Sequence, residues 1–251
     1  MPLSVIIITR NESANIAACL DSVSFADEVI VLDGQSSDDT ALIAEQRGAN
    51  VVLADVWNGF GPQKNKALSH AQHEWVLSLD ADERVSPDLA LEIERVLLDG
   101  THDIYEIPRL TNFCGQWIYH CGWRPDRVVR LFKKNSARFS DDKVHERVMA
   151  LQSQSVGQLK YSLLHFSYPS ANDYWRKLQM YSQAWAQQKF EQGKTTSMVR
   201  AVSSGMVAFV KSYVFRLGFL DGAMGLAVCI LQAQAAYGKY FTLYCLNQGK
   251  K

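Results

Sequence analysis

Leu3 to Thr9 is a continuous apolar run rich in β-branched residues, and two shorter runs follow it, Glu28 to Leu32 and Asn50 to Ala54. Runs of that kind suit parallel strands covered on both faces. Between the first two, Ile16, Leu20 and Val23 recur at helical spacing behind Asn11 and Ser13, either of which suits an N-cap. Between the second and third, a helix opened by Ser36, Ser37, Asp38 and Asp39 is stopped by Gly48. The resulting β-α-β-α-β succession predicts an α/β fold, a mostly parallel sheet flanked by crossover helices.

A fourth apolar run, Glu74 to Leu79, ends in Asp80-Ala81-Asp82-Glu83. It delivers two carboxylates, one residue apart, to the edge of the sheet. Hard divalent cations such as Mn²⁺ and Mg²⁺ take one or two carboxylates plus substrate phosphates, so the pair suits a metal–diphosphate site. The plainer alternative is an acidic turn leading to the next helix, which Ser86-Pro87 opens, Leu89, Ile93, Val96 and Leu97 anchor, and Gly100 closes. In an open parallel sheet, ligands bind beyond the carboxyl ends of the strands. Three such ends are polar here: Thr9-Arg10-Asn11-Glu12, Asp33, and Asp80 with Asp82. Together they suggest a nucleotide pocket. Neither G-x-G-x-x-G nor G-x-x-x-x-G-K-[ST] occurs, so the phosphates would be held by metal and side chains.

Beyond Gly100 the pattern loosens. Ile104 to Pro108, Val128 to Phe132 and Tyr161 to His165 read as strands, and Thr111 to Asp126 as a partly ordered loop over the site. Asn172 to Gln192 reads as a helix, followed by two more, about Met198 to Leu217 and Met224 to Leu246, with a turn at Asp221-Gly222. From Lys194 onward seven Lys/Arg face one acid, Asp221, so this part carries +6 (7 − 1) and the rest −6 (19 − 25). An apolar and basic helical tail fits an anionic membrane surface, and no nucleic-acid partner is expected. No uninterrupted apolar span of eighteen residues occurs, so a membrane-spanning helix is not expected, and the N-terminal run is too short for a signal peptide. The five scattered cysteines predict free thiols in a reducing compartment.

Three motifs, Val5-Ile-Ile-Ile-Thr-Arg-Asn-Glu12, Val31-Leu-Asp-Gly-Gln-Ser-Ser-Asp-Asp-Thr40 and Leu79-Asp-Ala-Asp-Glu83, resemble in order and spacing those of family 2 of the GT-A-fold glycosyltransferases. Gln63-Lys64-Asn65, Arg127-Val-Val-Arg-Leu-Phe132, Val144-His-Glu146 and Gly218-Phe-Leu-Asp-Gly222 extend the resemblance to the small bacterial enzymes that add a β-linked glucose to the heptose of the lipopolysaccharide inner core. The likeness covers essentially the whole chain. It departs from the commoner Asp-Asp-Gly-Ser form at Leu32-Asp33-Gly34-Gln35.

The resemblance implies a Rossmann-like GT-A catalytic domain over 1–193, with a nucleotide-sugar half (about 1–100) and an acceptor half (about 101–193). Residues 194–251 would form a membrane-peripheral appendage at the cytoplasmic face of the inner membrane. It implies a UDP-sugar donor, a divalent cation, Mn²⁺ or Mg²⁺, and an inverting transfer. Thr9 and Glu12, beside Arg10, would line the base and ribose pocket, and Asp33 would bind uracil. Asp80 would touch the ribose or the metal's water shell, and Asp82 would ligate the metal. An in-line displacement also needs a base opposite the leaving group. Glu146 is the choice, with Asp141 and Asp142 as rivals. Lys64 suits a phosphate oxygen or mere solvation. Arg130 suits donor, acceptor or a structural ion pair. His165 suits a metal ligand or a structural role. Trp117, Tyr119 and Trp123 suit a sugar platform or the core. A transferase of the same fold acting on a polyprenyl phosphate, a protein or another acceptor, a nucleotidyltransferase, and a non-enzymatic membrane-peripheral scaffold are the competing functions. The nucleotidyltransferase would want a Gly-rich loop where Arg10-Asn11-Glu12-Ser13 stands.

Overall fold

The computed structural model describes residues 1–141, 147–151 and 155–249. The chain divides into two units, Met1–Arg109 with Asp126–His165, and Leu110–Pro125 with Phe166–Lys251.

In the first unit β1 (Leu3–Thr9), α1 (Ile16–Asp21), β2 (Glu28–Asp33), α2 (Thr40–Gln46), β3 (Asn50–Leu53), α3 (Phe60–His70) and β4 (Trp75–Asp80) alternate as the apolar runs require. They are followed by β5 (Glu83–Val85), α4 (Pro87–Asp99) and β6 (Ile104–Phe113), which runs on into the second unit. β7 (Gln116–Ile118) belongs to that second unit, and the chain returns with β8 (Asp126–Lys133), β9 (Ala137–Phe139), β10 (Val148–Ala150), β11 (Gly157–Gln158) and β12 (Leu163–Tyr168). The sheet order is β3-β2-β1-β4-β8-β6-β12-β5. It is parallel from β3 to β4 and antiparallel where β8 meets β4 and β6.

Alternation sorts the strand residues between two buried layers. Val5, Ile7, Leu77 and Leu79 pack with Ile16 of α1 and Leu89 and Ile93 of α4, while Ile6, Ile8 and Val76 pack with Ala67 and Leu68 of α3. Truncating one such side chain, Leu77→Ala for instance, costs about 2–5 kcal/mol. The register sets Thr9 opposite Asp33 and Ile8 opposite Asp80, so three polar strand ends share one edge at the point where the strand order reverses.

Two local expectations change. Neither Asn11 nor Ser13 caps α1, whose first residue is Ile16. Asn11 takes φ +57° and its side-chain oxygen accepts the Ser37 amide at 2.8 Å, so it ties two loops together instead. Residues 111–126 are not a loose loop. β6 continues to Phe113 and pairs antiparallel with β7 across Cys114 and Gly115, both at positive φ, as a two-residue hairpin turn demands.

The second unit holds that hairpin and α5 (Ala171–Glu191), α6 (Met198–Val210) and α7 (Gly222–Gln248). A π-helical turn over Lys211–Phe215 and a 3₁₀ turn over Gly218–Asp221 connect α6 to α7. The division therefore does not fall at 193/194. Phe113, Ile118, Cys121 and Tyr174 share one buried cluster with Val228 and Cys229 of α7, and Trp185 meets Tyr240 edge-on at 5.1 Å, so α5 and the hairpin belong with the tail helices. α6 presents buried Ala201 and Gly205 to α7. A Cβ on Gly205 would lie 3.1 Å from the Ala233 carbonyl oxygen.

The stretch Gly218–Gln248 is long and apolar enough, by length and composition, to cross a membrane. Gln232, Gln234 and Lys239 interrupt it, which is why no unbroken apolar run announces it. All five cysteines are free, and burial pushes the Cys19 thiol up to about 12.

Candidate active site

At the carboxyl ends of β1 and β4 lies an open cleft of ≈ 340 Å³ lined by Thr9, Arg10, Glu12 and Asp80, with Trp57 and Phe60 on one wall. Four of the residues singled out in the sequence thus meet. Asp33 is buried: it accepts a hydrogen bond from the Thr9 hydroxyl at 3.0 Å and another from the Ser36 amide at 2.8 Å. The structure places it as the anchor of the turn after β2.

Asp80 sits between two cations. Lys64 Nζ lies 2.8 Å from its Oδ1, and Arg130 pairs with its Oδ2. Lys64 is only 2% exposed, so it is no solvated helix-start lysine. Arg130 also reaches Glu83 at 2.7 Å; Glu83 is fully buried and accepts the Asp80 amide at 3.0 Å. Arg109 extends the network, 3.5 Å from Glu83 and 2.7 Å from Asp126. Burial alone pushes the Asp80 carboxyl upward, but the charges of Arg130 and Lys64 carry it well below the usual carboxylate range. Burial likewise works against the Arg130 cation, and Asp80 and Glu83 more than restore it. The network fixes the strand end from which Asp82 projects.

Asp82 is half-buried, with its Oδ2 3.4 Å from His165 Nε2. The β5–β12 register, His165 opposite Glu83, brings the imidazole there. Among the described residues no three His, Cys, Asp or Glu side chains cluster as a complete metal cage. A partly exposed carboxylate beside an imidazole nonetheless fits, in donor chemistry, a hard cation that takes its remaining donors from a diphosphate. Glu146 and Asp142 lie outside the described residues; Asp141 is exposed.

Sequence reasoning missed Glu83 as a positioning residue, although it closes the acidic motif. It also missed the aromatic wall. Trp57 and Phe60 meet edge-on at 5.4 Å, and Gly34 lies so close that a Cβ there would come within 2.6 Å of the Trp57 ring. The Gly34 of the second motif was the available signal.

In the second unit, Trp123 packs on Phe113 and Trp117 on Phe166, whereas Tyr119 is 47% exposed. Asp221 accepts hydrogen bonds from the amides of Tyr119 (3.1 Å) and His120 (2.8 Å), and its Oδ1 lies 2.7 Å from His120 Nδ1.

Residues 4–156 match the model of the family described as "Glycosyl transferase family 2". A glycosyltransferase of Rickettsia prowazekii, itself named as uncharacterised, is 32% identical over 94% of this chain and 84% of its own length. The lipopolysaccharide core biosynthesis glycosyltransferase LpsC of Rhizobium meliloti is 27% identical over 96% of this chain and 93% of its own. Among solved structures, Staphylococcus aureus TarS aligns over 99% of this chain and 55% of that one, with 15% identity and a TM-score of 0.51, a likeness of fold.

Proposed function

The chain belongs to glycosyl transferase family 2, and from that premise we propose that it transfers glucose from UDP-glucose, with inversion, to a heptose of the lipopolysaccharide inner core. The observation that carries the reading is the cleft of Thr9, Arg10, Glu12 and Asp80 beside the half-buried Asp82–His165 pair. The likeness to LpsC along nearly the whole chain supports the core acceptor.

In this reading Thr9, Arg10 and Glu12 bind the uridine, with Trp57 as a stacking wall and Asp33 fixing the turn that faces the uracil. Asp80, held by Lys64 and Arg130, lies next to the ribose. Asp82 and His165 would hold a divalent cation, Mn²⁺ or Mg²⁺, which when bound would supply positive charge to the departing diphosphate. An acceptor hydroxyl oxygen bonds to the anomeric carbon as the bond from that carbon to the β-phosphate oxygen breaks. The hydroxyl proton passes to Glu146, or to Asp141 or Asp142 if that carboxylate stands closer, and UDP leaves. Lys64 becomes a phosphate ligand only by releasing Asp80.

In the same reading the protein is peripheral to the inner membrane on its cytoplasmic side, which the exposed apolar residues of α6 and of the turn after it support. Val199, Met206 and Phe215 are 78%, 66% and 77% exposed, and Arg200 and Lys211 stand among them.

A thermal-shift panel of nucleotide sugars with and without Mn²⁺ tests the donor. UDP-glucose should stabilise the protein in the presence of Mn²⁺ and much less without it. Equal stabilisation by GDP- or CMP-sugars, or none by any uridine nucleotide, would overturn the donor assignment.

A further inference from the structure

The second unit contains a cationic cleft of ≈ 380 Å³ that the proposed donor chemistry leaves unused. Tyr119, His120, Arg124, Phe215 and Arg216 line it. Arg124 and Arg216 are both exposed, and among the described residues neither guanidinium has an ion-pair partner. The nearby carboxylate, Asp221, is 5% exposed and already committed to the amides of Tyr119 and His120 and to the His120 ring.

The cleft wall is held from several sides. The Cys121 amide donates to the Arg216 carbonyl at 3.1 Å, and Gln232 Nε2 donates to the Cys121 carbonyl at 3.0 Å. Cys121, Gly122 and Leu217 all take positive φ, +60°, +79° and +54°. A leucine in that region is uncommon and persists only where its surroundings impose it. Gly122 is needed for a second reason: a Cβ there would lie 2.1 Å from the Arg216 guanidinium, which rests across it and donates to the Gly122 carbonyl at 3.3 Å. On the opposite wall the Arg124 guanidinium stands 5.7 Å from the centre of the Tyr119 ring. A backbone-anchored cleft thus presents two guanidinium groups without ion-pair partners among the described residues, beside the half-exposed Tyr119 ring. Guanidinium forks match phosphate and carboxylate geometry, and an aromatic face accepts the apolar side of a pyranose.

We infer that this cleft binds a sugar bearing an anionic group, a phosphate monoester or a carboxylate, with Arg124 and Arg216 on the anion and Tyr119 against the ring. That the bound sugar is part of the acceptor rests on the glycosyltransferase reading; the binding itself does not.

The test is titration of the full-length protein, followed by NMR or calorimetry at low salt, with glucose 6-phosphate, glucuronate, glucose and inorganic phosphate, and with UDP plus Mn²⁺ in parallel. At least one of the anionic sugars should bind at least about tenfold tighter than glucose and than phosphate alone. Arg124→Gln/Arg216→Gln should lose that preference by about tenfold, with thermal stability and UDP binding unchanged, while Arg124→Lys/Arg216→Lys retains part of it. Tyr119→Ala should weaken the sugar phosphate or glucuronate more than inorganic phosphate. Equal binding of glucose and both anionic sugars, or an undiminished preference in the Gln variant, would overturn the inference. So would a Gln variant that loses binding to phosphatidylglycerol vesicles yet holds anionic sugars normally, since the arginines would then be lipid contacts. Loss of UDP binding by the unmodified protein would instead contradict the transferase reading and leave this one standing.

Discussion

Lys64, Arg130 and Glu83 in the sheet unit are buried and paired, whereas Arg124 and Arg216 in the helical unit are exposed and, among the described residues, carry no counter-ion. The apolar residues run the other way. Val5, Ile7 and Leu77 have no exposure, while Val199 and Phe215 are more than three-quarters exposed. A charge taken out of water must be matched where it sits, so the first unit spends its ions on fixing a strand end. Charge and apolar surface left in water await something from outside. In the proposed reading the paired, buried ions of the sheet unit hold a small ligand, and the exposed groups of the helical unit meet a surface or a large acceptor.

The sharpest break of this contrast is Asp82→Ala. UDP-sugar turnover should fall at least about 10³-fold, since several kcal/mol of charge stabilisation at the leaving diphosphate is lost. The melting temperature should hold; turnover near normal would move the metal site elsewhere. Next comes a matched pair of arginines. Arg130→Met takes one of two cations from Asp80, leaves fully buried Glu83 with only Arg109 at 3.5 Å among the described residues, and should cost about 3 kcal/mol in urea unfolding. Arg216→Met should cost about 0.5 kcal/mol or less. Equal costs would erase the distinction between the units.

Smaller effects follow. Val199→Glu/Met206→Glu/Phe215→Glu should cut co-sedimentation with anionic vesicles about tenfold or more and barely alter stability, because the three side chains are exposed. Unchanged sedimentation would detach the helical unit from the membrane. Asp80 gives an acid signature. Its carboxyl is held below the usual range in the fold, so its contribution is whole above the ordinary value of about 4 and is lost as pH falls below that. Melting curves from about pH 6 to about pH 3 should decline less steeply in Asp80→Asn than in the unmodified protein; parallel curves would remove Asp80 from the ledger. Smallest is Gly34→Ala. The added Cβ crowds Trp57 and should shift its fluorescence and weaken UDP about three- to tenfold, roughly 1 kcal/mol.

The sheet half was legible in the sequence because strand and helix periods alternate there without interruption. Of the three polar strand ends read as a pocket, those of β1 and β4 line the cleft, while Asp33 at the end of β2 does not. What the sequence hid depends on long-range pairing. That Lys64 lies under Asp80, 16 residues away, follows from α3 packing on the sheet, and nothing local distinguishes it from a surface lysine. Glu83 looked like a motif's tail because its partners, Arg109 and Arg130, come from β6 and β8. The boundary at 194 failed for a related reason. A drop in acidic residues marks composition, whereas the units are set by which aromatic residues share a core, and Phe113 and Tyr174 find theirs with Val228.

A cation held at Asp82 is the centre of the proposed chemistry, and calorimetry of UDP binding tests it most directly. With the unmodified protein, Mn²⁺ should tighten UDP by at least about tenfold, close to 1.4 kcal/mol. Asp82→Ala should bind UDP alike with and without the ion. Indifference of the unmodified protein to Mn²⁺, or an intact Mn²⁺ response in Asp82→Ala, would contradict it.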